Sequence, residues 1–348
     1  MWRKVFFKDF IELQRGFDLP ERSRKSGEYP VVASTSIVGY HNEAKLVAPC
    51  VVVGRSGSLG IVQLINEPCF PLNTTLFVKD FKGNDPHFVY FLLKTLRLER
   101  FNSGAGVPTL NRNDLDTLEL LVPNKEVQAR IGLVLSRYDS LIENHQQQIG
   151  RLRSTAQTIY REWFVRGRYP FARYEANSRL PVGWEILELG KVVKLKYGKA
   201  LKEGSRTMGP YPVVGSSGTI GFHEKFLVGE EGIVVGRKGT VGSVFFIDGP
   251  FYPIDTVFYV KSEISNYYLY FNLQDQHFIS GDAAVPGLNR EQALSNEFLK
   301  PANDALVQFD HVMKPLFSKI VNLNSQISIL QQMRDMVLPR LMNGRITL

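Results

Sequence analysis

The chain holds only two cysteines, Cys50 and Cys69, among 348 residues. That is too few for a disulfide framework, and neither has neighbours at metal-ligand spacing. No apolar stretch approaches the ~20 residues needed to cross a bilayer. Met1-Trp2-Arg3-Lys4 runs directly into alternating polar and apolar residues, without the pattern of a signal peptide, so a cytoplasmic protein is expected. Catalytic signatures are missing too. No glycine-rich loop ends in Gly-Lys-Ser/Thr before a helix, which excludes the usual NTP site. The Asn/Asp-Pro-Pro-aromatic motif and glycine-rich cofactor loop of adenine methyltransferases are absent; Asn84-Asp-Pro-His-Phe88 has a single proline. No nuclease-like carboxylate–lysine cluster stands out. The expectation is a chain with no catalytic residue, no metal site and no cofactor of its own.

What is present is a repeat. Shifted by 182 residues, Tyr29-Pro-Val-Val falls on Tyr211-Pro-Val-Val, Gly39 on Gly221, and His41 on His223. Val52-Val-Gly-Arg-Ser-Gly-Ser-Leu-Gly60 falls on Val234-Val-Gly-Arg-Lys-Gly-Thr-Val-Gly242, Pro71 on Pro253 and Thr74 on Thr256. About a third of positions 2–79 are identical at this offset, and Trp2 and Gly16 pair with Trp184 and Gly198. Further on the offset becomes 178, so that Val107-Pro-Thr-Leu-Asn-Arg112 matches Val285-Pro-Gly-Leu-Asn-Arg290. Short β-branched runs such as Cys50–Val53 lie between repeated glycines and prolines, which predicts strands joined by tight turns. A helical piece is expected near His87–Arg100 and again near Ser265–Ile279.

A different period follows each copy. Ile131, Leu135, Tyr138, Ile142, His145, Ile149, Leu152, Ala156, Ile159 and Trp163 recur at alternating strides of four and three. At the 178 offset they become Phe309, Met313, Leu316, Ile320, Leu323, Ile327, Leu330, Arg334, Val337 and Leu341. A 3.5-residue apolar period over several heptads predicts helices packed along a seam. The apolar members of both sets are the candidate helix–helix interface, and His145, Gln148 and Arg334 are candidates for fixing its register. Pro315 is expected to kink or break the second helix. Because one helix leads into the second domain and the other leaves it, burying both seams requires the two to run antiparallel.

The fold class expected is therefore α+β: two repeated mixed α/β domains and two long antiparallel coiled-coil helices, pseudo-two-fold symmetric. The divisions are 1–122, first domain; 123–165, first helix; 166–183, linker; 184–300, second domain; 301–342, second helix; and 343–348, tail. Approximate two-fold symmetry matches that of duplex DNA, whose dimeric readers are spaced by about one helical turn (~34 Å). A net charge of +8 suits a polyanion partner without establishing one.

The order domain–helix–domain–helix resembles the specificity subunits (HsdS) of type I restriction-modification systems. So do Leu180-Pro-Val-Gly-Trp-Glu185, Gly236-Arg-Lys-Gly-Thr-Val-Gly242 and Leu338-Pro-Arg-Leu-Met-Asn-Gly344. The resemblance implies that each globular part is a target recognition domain reading one half of a bipartite, asymmetric site in double-stranded DNA. It also implies two adenine methyltransferase subunits as partners, carrying S-adenosylmethionine, with restriction/translocase subunits joining some complexes. A duplicated nucleic-acid-binding or interaction scaffold outside restriction-modification is the alternative, although RRM and KH signatures are absent.

Within each copy the Gly54–Gly60 and Gly236–Gly242 loops have two readings: tight turns that need glycine backbone angles, or loops presenting Arg55, Arg237 and Lys238 to DNA. Equivalent positions that differ between copies are candidates for base readout: Thr35-Ser36 against Ser217-Gly218, Asn73 against Asp255, and Ser56 and Ser58 against Lys238 and Thr240. The shared Thr74 and Thr256 complete the candidate set. Asn111-Arg112 and Asn289-Arg290, placed just before the helices, are phosphate contacts, or a turn-starting Asn with a solvated Arg. His41 and His223 read as hydrogen-bonded turn residues rather than metal ligands. Arg151 to Arg179, rich in arginine and aromatics, reads as a solvated helix face and packed linker, or as a basic surface along DNA.

Overall fold

A computed structural model describes residues 2–104, 106–278 and 287–346. The architecture is α+β: one mixed domain built twice, with two long helices. Residues up to His145, with those from Gln326 onward, form one compact unit, and Gln146–Ser325 forms the other.

In the first unit the chain runs β1 (Trp2–Phe6), α1 (Phe7–Phe10), β2 (Glu12–Arg15), β3 (Tyr29–Val32), β4 (Ile37–His41), β5 (Cys50–Gly54), β6 (Val62–Ile65), β7 (Phe70–Pro71), β8 (Thr75–Asp80), α2 (Pro86–Thr95) and β9 (Glu119–Pro123). Next comes α3 (Lys125–Tyr160). The strands form a four-stranded antiparallel sheet, β2-β8-β5-β6, a three-stranded sheet, β4-β3-β7, and the pair β1-β9. Period-two alternation explains the burial of β5 on both faces. Val51 and Val53 face the core shared with Phe88, Phe91 and Leu92 of α2. Cys50 and Val52 face a second cluster with Val32, Ile65, Cys69 and Phe77. Both cysteines are free thiols in that cluster.

The second unit repeats these orders with β10 (Glu185–Glu188), β11 (Val193–Tyr197), β12 (Tyr211–Gly215), β13 (Gly218–His223), β14 (Gly232–Gly236), β15 (Val244–Ile247), β16 (Tyr252–Pro253), β17 (Val257–Ser262), α4 (Asn266–Asp275), α5 (Arg290–Leu294), β18 (Glu297–Lys300) and α6 (Asn303–Met342). Its sheets are β11-β17-β14-β15, β13-β12-β16 and β10-β18. Helices α2 and α4 start the same way. Asp85 accepts from the Phe88 amide at 2.8 Å and Ser265 from the Tyr268 amide at 3.2 Å, each capping orphan helix donors.

Each unit contains a stretch of both long helices, and in each the stretches run antiparallel. In the first, Ile131 and Leu135 of α3 share a core with Val337, Leu338, Leu341 and Met342 of α6. In the second, Ala156 and Tyr160 pack with Phe309, Met313, Leu316 and Phe317. Ile142, Ile149, Ile320 and Leu323 are buried, while Leu152, Ile159, Ile327 and Leu330 are half-buried.

Three expectations need correction. Helix α6 passes through Pro315 unbroken. Pro315 is exposed, so water can satisfy the carbonyl of His311 that loses its partner, and buried Met313 and Ile320 hold the helix on either side. Toward the end of α3 the buried residues are Tyr160 and Phe164 rather than Ile159 and Trp163. A helix of 3.6 residues per turn drifts from a 3.5 repeat, and a π-turn at Arg161–Val165 adds to the shift. The helical pieces are also shorter than the periodicity suggests. α2 ends at Thr95 and gives way to a 3-10 turn at Leu98–Phe101; α4 ends at Asp275, and Ile279 lies outside the described residues.

Candidate nucleic-acid interface

The two glycine loops take one conformation. Gly57, Gly60, Gly239 and Gly242 have φ of 80°, 74°, 77° and 76°, the left-handed region that disfavours side chains. At Gly54 and Gly236 a Cβ would lie 2.3 Å from the Ser58 carbonyl and 2.1 Å from that of Thr240. All three glycines of each motif are thus required by the turn. The loop amides are already engaged: Arg55 and Ser56 donate to the Thr74 carbonyl at 2.9 and 3.1 Å, and Arg237 and Lys238 to that of Thr256 at the same distances. A phosphate cradle needs such amides open, so the loop is a frame and the side chains it carries are the candidate contacts.

That frame holds arginines at a recessed surface. In the first domain a cavity of about 590 Å³ is lined by Arg15, Arg55, Leu76, Thr109, Asn111 and Arg112, among others. The Leu110 amide donates to the Arg55 carbonyl at 2.8 Å, tying the loop to the Asn111-Arg112 segment, and Arg112 Nη1 donates to the Leu13 carbonyl at 3.1 Å. In the second domain the Leu288 amide bonds the Arg237 carbonyl at 2.8 Å in the same way. Arg237 Nη1 donates to the Asp255 carbonyl at 2.7 Å, and the guanidiniums of Arg237 and Arg290 lie 5.0 and 5.4 Å from the centre of the Tyr197 ring.

The other candidates lie around this frame. Thr35 and Ser36 sit exposed at the β3–β4 turn, and Ser217 at the β12–β13 turn. Ser58, Lys238 and Thr240 are exposed on the loops themselves, and Ser56 is half-buried. Asn73 Nδ2 donates to Asp18, so its amide is tied to a neighbouring loop. Asn111 accepts from the Asn113 amide at 3.1 Å, and Asn289 from the Glu291 amide at 3.0 Å, each starting a short helical turn. Strands β9 and β18 separate those turns from the long helices, so Arg112 and Arg290 belong to the domain surface. His41 Nδ1 accepts from the Lys25 amide at 3.0 Å and His223 Nδ1 from that of Thr207 at 3.1 Å. In the basic stretch, Tyr160, Phe164 and Tyr169 are core residues, and Arg166 and Arg168 pair with Glu162.

Residues 1–153 and 181–296 match the family described as the type I restriction modification DNA specificity domain. The chain belongs to that family. It is 24% identical over 297 residues to the specificity subunit of the type I restriction enzyme MjaIX of Methanocaldococcus jannaschii, covering 74% of this chain and 68% of that one. It is 22% identical to a putative type I specificity subunit of Mycoplasma pneumoniae, covering 92% and 91%. Among solved structures, the S subunit of a type I restriction-modification system from M. genitalium shares the fold, with a TM-score of 0.67 at 20% identity over 98% of this chain and 96% of that one.

Within this specificity-domain protein, sequence reasoning missed Arg15 and Tyr197. They lie one residue before the matched pair Gly16 and Gly198, so a non-identity beside a repeated glycine was the available signal. No helix among the described residues is long and apolar enough to cross a membrane.

Proposed function

We propose that the chain is the DNA-reading subunit of a type I restriction-modification complex working in the cytoplasm, each domain reading one half of a bipartite, asymmetric target. The reading rests on one observation: a duplicated frame holds Arg55 with Arg112, and Arg237 with Arg290, at equivalent surface positions. Arginine bonds guanine O6 and N7 through two parallel hydrogen bonds, and its charge also attracts phosphate. The positive net charge of +8 supports the same partner. The exposed side chains at Thr35, Ser36, Ser58, Ser217, Lys238 and Thr240 are further candidates for contact, because they differ between otherwise similar halves.

In this reading the chain performs no chemistry. Two adenine methyltransferase subunits, binding S-adenosylmethionine, would be positioned by it, and restriction subunits would supply translocation and cleavage. The test is to exchange residues 1–122 for the first domain of another family member and to map methylated motifs produced with the methyltransferase. One half of a split motif should change and the other persist. A change in both halves, or in neither, would refute the assignment of one domain to one half-site.

A further inference from the structure

Position 15 in the first domain and its counterpart 197 in the second carry different chemistry on the same backbone. Leu13 and Gly16 pair with Leu195 and Gly198 on either side of it, and both positions end equivalent strands, β2 and β11. The surroundings are conserved between copies as well: Arg55 corresponds to Arg237 and Arg112 to Arg290. In the first domain Arg15 makes three guanidiniums lining one cavity. Its Nε lies 3.4 Å from the Asn73 carbonyl and its Nη2 3.6 Å from Asp18 Oδ1, long contacts at a half-exposed side chain. Among the described residues none holds Nη1.

In the second domain Tyr197, about half exposed, takes that place. Both arginines lie against its ring, and Phe258 packs beside it at 4.9 Å, where the first domain has Leu76. Guanidinium over an aromatic face is favourable and fixes both planes. The same frame therefore presents a cluster of donors in one copy and a braced aromatic surface in the other.

Resting on the DNA-reading function above, we infer that position 15/197 determines base specificity. Arg15 selects guanine in the half-site of the first domain, and Tyr197 replaces that requirement with apolar contact in the other. Arg15, Arg55 and Arg112 line one recess, and only long contacts to Asp18 and the Asn73 carbonyl engage Arg15, so its fork can turn to a ligand. Guanine presents O6 and N7 side by side, the pair of acceptors that an arginine fork matches. A tyrosine offers no second donor for that pair; with Arg237, Arg290 and Phe258 against its ring, the half that stays exposed offers an apolar edge for a thymine methyl.

The test uses the full chain with its methyltransferase partner and reads methylated motifs together with binding to duplexes varied base by base. Arg15→Tyr should relax one guanine in one half-motif, cutting its discrimination by roughly tenfold or more, and leave the other half unchanged. Tyr197→Arg should add a guanine preference to the other half. Arg15→Lys keeps the charge and loses the fork, so it should also relax that guanine while preserving the salt dependence of binding. If Arg15→Lys retains the wild-type motif and Arg15→Tyr weakens all sequences equally, Arg15 grips phosphate and the inference is overturned. Unchanged half-motifs in both Arg15→Tyr and Tyr197→Arg overturn it too. A wild-type complex that methylates no split motif would instead overturn the DNA-reading function beneath it. Arg15 is half exposed with only long contacts, so the two position-15 variants should melt at the wild-type value. Tyr197→Arg loses the ring that Arg237, Arg290 and Phe258 pack against, and should melt lower while still unfolding in one cooperative transition.

Discussion

Arg334 of α6 donates to Asp139 of α3 at 2.5 Å, and at the equivalent places of the other repeat stand Ala156 and Phe317, members of one apolar cluster. An ion pair and a small–large apolar pair thus do the same seam-filling task. The pair is mostly sheltered, with side-chain exposures of 17% and 29%. Arg334→Ala leaves Asp139 without its cation and should cost about 2–3 kcal/mol in urea denaturation. The double change Arg334→Ala with Asp139→Phe, copying the other repeat, should recover most of that loss. Additive costs in the double variant would show that the two residues do not act as a pair.

A second exchange sits at the start of α2. A Cβ on Gly132 would lie 2.5 Å from Oδ1 of the capping Asp85, whereas the other repeat has a serine cap, Ser265, donating to Asp310. The carboxylate has moved from the cap to the facing helix. Gly132→Asp should therefore destabilise the first unit by roughly 2 kcal/mol or more, through overlap and like charge. Adding Asp85→Ser should restore much of it, measured by the same denaturation. Failure of Asp85→Ser to rescue would show that the clash lies elsewhere.

The Asp310 carboxyl gives a pH signature. Burial raises it above the usual aspartate range, and the bond from Ser265 partly offsets that. The folded state therefore holds this proton more tightly than the unfolded chain. Its contribution to stability is complete below the unfolded value of about 3.9 and is lost as pH rises through the higher folded value. Asp310→Asn removes the decline. The melting temperature of the variant should gain on wild type between about pH 4 and neutrality, and a difference that stays flat with pH would contradict it.

The glycine loops separate two costs. Gly57→Ala meets open space at φ 80° and should cost about 1–2 kcal/mol of backbone strain. Gly54→Ala drives a Cβ into the Ser58 carbonyl and should cost distinctly more, or prevent folding. Thermal denaturation ranks them; equal losses would mean that the loop relaxes around either methyl.

The duplicated α+β domains and the apolar seams were legible because repeats and periodicities survive in one dimension. Identity at Gly57 and Gly60, where φ is positive, and at Gly54, where a Cβ would meet the Ser58 carbonyl, marks the frame, since such positions tolerate little drift. What escaped depended on three dimensions. Pro315 reads as a break, yet its exposure on α6 makes the missing amide harmless. Arg15 and Tyr197 differ between copies, and a mismatch becomes informative only once Arg237 and Arg290 are seen against the tyrosine ring. Asp85 with Gly132 and Ser265 with Asp310 look like unrelated drift until the helix caps face them.

The threonine carbonyls that hold each glycine loop have a wider consequence. With its main chain clamped, a loop cannot reshape itself to suit a new target, so novelty must come from the teeth set in it. Ancestral duplication then supplied two interchangeable key blanks, each open to being recut without disturbing the lock that keeps it folded.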